Sequence, residues 1–450
     1  MTRNVVPKHS LFLAFFLGCL VLGGSSQGIW STFALQLAAV GILIFALSVK
    51  PRVSLHDGGH LLMWIIIASI VWIVIQLVPL PSAVWTQIPG RGLIVEGYRL
   101  TGTGLPWLPI SLAPSSTIAS LLALLPALAV FAWTTRREKI DPRWISYVIL
   151  GVTCAAVLLG ILQRGDQSFH LYPVTNTGAT GFFANSNHMG ALLVVAVPFL
   201  IAISASARTD GPTKGDMPNW LWKMTAVLGG GVLVVGTAVN GSLAVLLLIA
   251  PVTFASLFLL VPASKIRLGR VAASIAAISA VVLASAAWLV SSGLRQGDQS
   301  SFAIRQQIWE ATGRLVGEHG LVGAGLGVFD QLYPVSEDPS RVDWVYVNLA
   351  HNDFLQLVLE LGIPGAVLTF AFLSWWMLAS VRIWSAADGD VFAKAATIAS
   401  GALLLHSLVD YPLRTAALAA IFAACLAMMI QRTRANSATS EARHLRLEDL

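Results

Sequence analysis

The stretch NLAHNDFLQLVLELGIPG, residues 348–365, sets His351, Asn352, Asp353, Gln356 and Glu360 among apolar neighbours. Histidine is the side chain best matched to proton transfer near neutral pH, so His351 is a candidate general base. The same residues have a purely structural reading. Asn352 or Asp353 can cap a helix. Asp353, Gln356 and Glu360 recur at i, i+3 and i+7, which makes one polar stripe. Gly362-Ile363-Pro364-Gly365 would end that helix, and Pro364 suits the first turn of the next. His351 then sits at the N-terminal lip of a short helix lying on the membrane surface, where the helix dipole disfavours the imidazolium. Upstream, Arg305 and Trp309 stand one helical turn apart. They are a cation–π pair on a solvated face, or the arginine serves a phosphate through its planar fork. Gly323, Gly325 and Gly327 match neither GxGxxG nor GxxxxGK[ST], which leaves a tight turn rather than a nucleotide loop. His319 and His351 are not at ligand spacing and neither has a carboxylate pair beside it, so no metal is expected.

The elements that must position these groups follow from composition. The chain has 450 residues, 56% hydrophobic and 11% charged; a soluble chain would carry about 25% charge. Each bilayer span needs roughly 20 apolar residues. About 12 such runs occur, near 10–24, 30–49, 61–80, 114–134, 144–163, 187–207, 220–238, 241–262, 271–291, 364–381, 393–409 and 415–431. The expected fold is therefore all-α, a polytopic helical membrane protein. With the N-terminus inside, 20 of the 28 Lys and Arg residues fall on the inside and eight on the outside, which fixes the orientation. Basic loops facing anionic lipid account for the net charge of +6 without a nucleic-acid partner. Cys19, Cys154 and Cys425 lie in apolar runs and imply neither disulfide nor zinc. Phe16-Leu17-Gly18-Cys19 departs from a lipoprotein box at its first residue, so the first run is an uncleaved signal anchor. Of three long outside loops, 81–113 and 164–186 are expected to lack regular structure. In the third, 292–363, Ile304, Ile308, Ala311 and Leu315 form a helical apolar stripe, with Arg305, Trp309 and Thr312 on the adjacent face. His188 and His406 stand near the outer ends of their spans, and Asp410 follows in HSLVDYPLR. They are functional groups, or equally caps and packing.

Three stretches in order resemble the O-antigen ligase and polymerase family of bacterial envelope glycosyltransferases. GFFANSNHMGALLVVAVPFL (181–200) is similar to its Gly-x-Phe-x-Asn-x-Asn entry to a span. RQQIWEATGRLVGEHGLVGAGLGVF (305–329) is similar to its Arg-x-x-x-Trp segment and Gly-rich turn, with ten residues between Arg314 and Gly325 as in some polymerase loops. AHNDFLQLVLELGIPG (350–365) is similar to its His-Asn signature, and HSLVDYPLR (406–414) to its closing segment. The resemblance spans roughly 181–420. It divides the chain into N-terminal spans 1–180, a catalytic region 181–420 with one large periplasmic loop at 292–363, and a last stretch 421–450.

The resemblance implies a metal-independent, inverting transfer in the bacterial inner membrane, with the site facing the periplasm. The donor would be a glycan on a polyprenyl diphosphate lipid. The acceptor would be a hydroxyl of lipid A core for a ligase, or of a growing glycan for a polymerase. The diphosphate already activates the donor, so no cofactor is expected. By resemblance His351 is the base and Arg305 the diphosphate ligand, with Trp309, Asn352, Asn187 and Arg314 in substrate binding. Many members carry Ser-Arg-Gly at the start of the span that here reads VNGSLAVLLLIAP (239–251); the matching position is Asn240. A second cation is then absent or comes from Arg164, Arg314 or Arg414. The rival readings are a lipid-linked glycan flippase and a non-catalytic member. A transporter would show an internal repeat and broken mid-membrane helices, and the sequence has neither.

Overall fold

The computed structural model describes residues 9–26, 30–48, 57–136, 140–172, 178–209, 219–261, 296–341, 346–386 and 389–431, with isolated positions between 269 and 284. Its regular elements are helical, as a chain in lipid requires if every backbone N–H and C=O is to be satisfied. In chain order they are α1 (Ser10–Leu22), α2 (Trp30–Leu47), α3 (Asp57–Ile75), α4 (Ser82–Trp85), α5 (Gly92–Leu100), α6 (Pro114–Ala123), α7 (Leu125–Arg136), α8 (Pro142–Gly165) and α9 (Ser186–Thr209). There follow α10 (Asn219–Asn240), α11 (Leu243–Leu257), α12 (Gln296–His319), α13 (Phe329–Ser336), α14 (Asp353–Ser385), α15 (Val391–His406) and α16 (Ala416–Ile430).

Among the described residues, seven helices are long and apolar enough to cross a membrane, and α1, α10, α15 and α16 are shorter apolar helices. These coincide with eleven of the expected runs. The twelfth, 271–291, lies outside the described residues apart from isolated helical positions. The segment 81–113, expected to lack regular structure, instead carries α4 and α5. Trp85 is buried there and donates to Pro106 O at 2.8 Å, so an aromatic anchor orders a stretch whose Gly and Pro content signals a loop.

The centre is α9, whose apolar window is 89% buried. It packs against α8, α10, α11 and α15, which its apolar residues on every face permit. Helices α2 and α3 lie at the edge and expose Phe33, Leu37, Ile44, Leu61, Trp64 and Val71. One core runs from Phe12 to Ile430 and joins the first spans to the last. The helix ends alternate between two sides. On one side Ala417 N–H bonds Gly23 O and Ala184 N–H bonds Gly24 O. On the other, Gln431 bonds Thr134 O and Trp375 bonds Gly58 O.

Helix α14 is broken at Gly362, whose φ of 67° and ψ of −159° leave the helical region. The break frees carbonyls, and the glycine-rich turn after α12 takes them: Ala324 N–H bonds Leu359 O and Gly325 N–H bonds Glu360 O. Gln76, just after α3, also donates to Glu360 O, and Trp72 of α3 donates to Leu361 O. Gly323 and Gly362 face each other with positive φ, and a Cβ on either would collide with the other segment's backbone. The three glycines thus form the tight turn that the sequence implies, wedged under the break in α14.

Candidate active site

Asp410 lies in the turn between α15 and the 3-10 helix Pro412–Arg414, wholly buried. Its own backbone N–H bonds His406 O, which curls the chain back beneath α15. Three separate segments converge on its carboxylate, beside its own neighbour Tyr411. His351 Nδ1 lies 3.5 Å and His188 Nε2 3.8 Å from Oδ1, which also accepts the N–H of Tyr411 at 2.9 Å. Arg305 lies 3.8 Å from Oδ2, and the amide of Asn187 donates to the same oxygen. Burial raises a carboxyl's pKa, but the imidazoles of His188 and His351 outweigh it here and hold Asp410 well below the usual carboxylate range. His351 and Arg305 are each about a quarter exposed, whereas Asp410 is not exposed at all. The imidazole and the guanidinium therefore reach from a buried anion into accessible space.

His351 has a φ of 50°, the only positive value at a non-glycine among the described residues. Such a conformation costs about 1–2 kcal/mol and persists only where neighbours enforce it. They do so on both sides. Ala350 N–H bonds Gln356 Oε1 at 2.9 Å, Asn352 caps α14 by accepting Leu355 N–H at 3.0 Å, and Asp353 N–H bonds Ser407 O at 2.9 Å. The polar stripe of α14 is not an exposed rim. Asp353, Gln356 and Glu360 are buried, and Arg414 spans them, with Nε 3.2 Å from Asp353 and NH2 2.9 Å from Glu360. Ser407 and Gln356 complete the set, bonding Asp353 at 2.8 Å and Glu360 at 2.8 Å.

On α12, Ile308, Ala311 and Leu315 are buried as the stripe requires, while Ile304 is 44% exposed. Trp309 stacks edge-on against Phe302, and its Nε1 is buried without a hydrogen-bond partner, as is Arg305 Nε. Arg314 lies nine residues further along α12, about 13 Å by helical rise. It donates to Ser336 O at 3.1 Å rather than joining the cluster. Asn187 does join it: Nδ2 donates to Asp410, and Oδ1 accepts Ser242 Oγ at 2.6 Å.

Asn240 is buried and donates to Ala179 O and Ser186 O, so its role is to hold the loop before α9. Beside it, Arg164 at the end of α8 is exposed and places Nε and NH2 at 2.9 and 2.7 Å from Val239 O. Of the three substitutes for the missing cation, Arg414 is held by two carboxylates and Arg314 is distant. Arg164 alone stands next to the departed position.

The sequence reading undervalued Asp410 and His188, for which capping or packing was an equal expectation. The available signal was four ionisable groups within HSLVDYPLR in a chain this apolar. Among the described residues no group of three or more His, Cys, Asp or Glu side chains is arranged to hold a metal ion.

No curated protein matches the chain. The family model described as O-antigen ligase matches residues 224–370, a segment that contains Arg305, Trp309, His351 and Asn352. Asn187, His188, Asp410 and Arg414 lie outside that segment yet meet it at the site. This match supports the likeness to the O-antigen ligase/polymerase family, and the long apolar helices are those of a multi-pass membrane protein.

Proposed function

We propose that the protein transfers a glycan from a polyprenyl diphosphate lipid to an acceptor hydroxyl, at the periplasmic face of the bacterial inner membrane. The observation that carries this reading is the meeting of His351, Arg305 and Asp410 at the helix ends of one side. Nδ1 of His351 faces Asp410, which leaves Nε2 for the acceptor. With a small closure of the 3.5 Å gap, Asp410 accepts the Nδ1–H, fixes that tautomer and stabilises the imidazolium that forms. The acceptor oxygen attacks the anomeric carbon from the face opposite the diphosphate. Its proton passes to His351, the new glycosidic C–O bond forms, and the C–O bond to the diphosphate breaks with its electron pair. Arg305 meets the negative charge that grows on the leaving group. Arg164 is the second cation in this reading, replacing the arginine that Asn240 lacks. Inversion follows from the single displacement. The acceptor is a lipid A core sugar for a ligase and the end of a second lipid-linked glycan for a polymerase.

Purified protein supplied with lipid-linked donor and acceptor tests this directly. His351→Ala should assemble normally and lose about 10²–10⁴-fold in transfer, the usual contribution of a general base. Wild-type turnover in that variant would end the case for His351 as the base. Deletion of the gene separates the two acceptors. Naked lipid A core with retained polymer marks a ligase, and single repeat units mark a polymerase.

A further inference from the structure

His188 carries an imbalance that the mechanism above does not use. It is 2% exposed, and neither ring nitrogen has a hydrogen-bond partner. A buried polar group left in that state costs stability and calls for a reason. Its Nε2 points at Asp410 Oδ1, the same oxygen that His351 Nδ1 approaches, from 3.8 and 3.5 Å. The ring of Tyr411 stands edge-on to both imidazoles, 4.9 Å from each, and holds them on either side of that oxygen. The other oxygen is occupied by Asn187 and Arg305. A shift of a few tenths of an ångström lets Oδ1 take a hydrogen bond from one imidazole or the other.

We propose that His188 is a positioning residue that shares Asp410 with His351 and thereby sets the pH at which His351 is free to accept a proton. The inference rests on His351 being the base. The groups facing His188 are Asp410 and Tyr411 from the turn after α15, His406 from α15, His351 from the lip of α14, Arg305 from α12 and Phe183 from the preceding loop. Tyr411 stays neutral at working pH, because burial pushes its phenol up. His188 lies in the first turn of α9 with Nε2 towards Oδ1, which places it as an N–H donor to the carboxylate. While that N–H engages Oδ1, the carboxylate pulls less strongly on a proton at His351. Without it, the whole charge of Asp410 acts on His351, which then keeps its proton to higher pH and is a free base less often.

The experiment is the pH–rate profile of wild type, His188→Leu and His188→Gln between pH 5 and 9. Leucine removes the donor, so the acid limb should move up by about one unit, an approximately tenfold deficit at pH 6 that closes in alkali. Glutamine keeps an amide donor of similar reach and should return the limb towards its wild-type position. An unmoved limb with the rate lowered equally at every pH would make His188 a packing residue and overturn the proposal. If His188→Leu does not assemble, His188→Asn takes its place, since the shorter amide cannot reach Oδ1. Carbethoxylation of His351, followed against pH by mass spectrometry, tests the same sharing without turnover. Its midpoint should rise in the Leu or Asn variant, and an unchanged midpoint overturns the proposal. Because that readout does not need His351 to be the base, failure of the sharing is distinguishable from failure of the transfer mechanism.

Discussion

At the scale of single residues, Asp410 is the pivot. A wholly buried carboxylate is costly unless opposite charge and N–H donors surround it. Here four nitrogen-bearing side chains and a backbone amide do so, and they keep the group ionised. The sign of its pH dependence follows. A folded pKa below the exposed value adds stability at every pH above the exposed value, and that stability is lost as pH falls through the folded one. Asp410→Asn should therefore lower the melting temperature in detergent down to pH 5, with the difference from wild type disappearing only in stronger acid. A difference already gone at pH 5 would mean that the imidazoles do not hold the carboxyl ionised. Arg305 makes a second residue-scale case. Lysine keeps the charge but not the planar fork. Arg305→Lys should lose about 10–100-fold in transfer, the equivalent of a charged hydrogen bond of about 1.5–3 kcal/mol, and Arg305→Ala should lose more. Normal glycan from Arg305→Ala would leave it a structural partner of Asp410 alone.

Elements matter because the two halves of the site hang on one arginine. Arg414 follows Asp410 by four residues, and Asp353 follows His351 by two. Their ion pair, extended to Glu360, ties the turn after α15 to the first turns of α14. Burial works against the Arg414 charge, but Glu360 and Asp353 outweigh it and raise its pKa above the ordinary value. It is therefore charged at any working pH. Arg414→Met leaves two buried carboxylates unpaired and should cost about 3–5 kcal/mol. Adding Asp353→Asn and Glu360→Gln should recover most of that loss. Thermal unfolding of the single and triple variants decides it, and a triple variant no more stable than Arg414→Met would refute the pairing. The break in α14 is the second element-scale device. Gly362→Ala forces a Cβ into left-handed backbone, about 1–2 kcal/mol, and into Gly323. Melting temperature and transfer should fall together, because the glycine-rich turn and the His351 lip lean on the same helix segment.

For the whole molecule, the alternation of helix ends collects the outer ends of α1, α8, α9, α10, α15 and α16 on the side of Asp410. The excess of basic residues in the opposite loops supports the proposal that this side faces the periplasm. Ser340 is exposed on this side and bonds only its neighbour Asp338. Ser340→Cys should react with a membrane-impermeant thiol reagent in cells whose outer membrane alone is permeabilised. Native Cys19 and Cys425 are buried and Cys154 is half-buried in α8, so they should stay unlabelled. Labelling that appears only after inner-membrane lysis would reverse the orientation and the compartment of the site.

What the sequence determines by itself is whatever depends on local pattern. Apolar runs of bilayer length mark the spans, because lipid leaves a backbone no other way to pair its polar groups. Asn352 as a cap, Gly362 as a break and the buried stripe of α12 are equally local, since each depends on residues within two turns. The motif order singles out His351, Arg305 and Asn187, and the family match covers the first two. Tertiary structure decides which polar groups share a carboxylate. Asn187, His188, Arg305, His351 and Asp410 are spread over more than 220 positions, and no periodicity links them. Only the stacking of α9, α12, α14 and α15 brings them together, and only that stacking turns the stripe of Asp353, Gln356 and Glu360 inward onto Arg414. A helical wheel gives a polar face. Whether that face meets water or a buried guanidinium is set by the neighbouring helix.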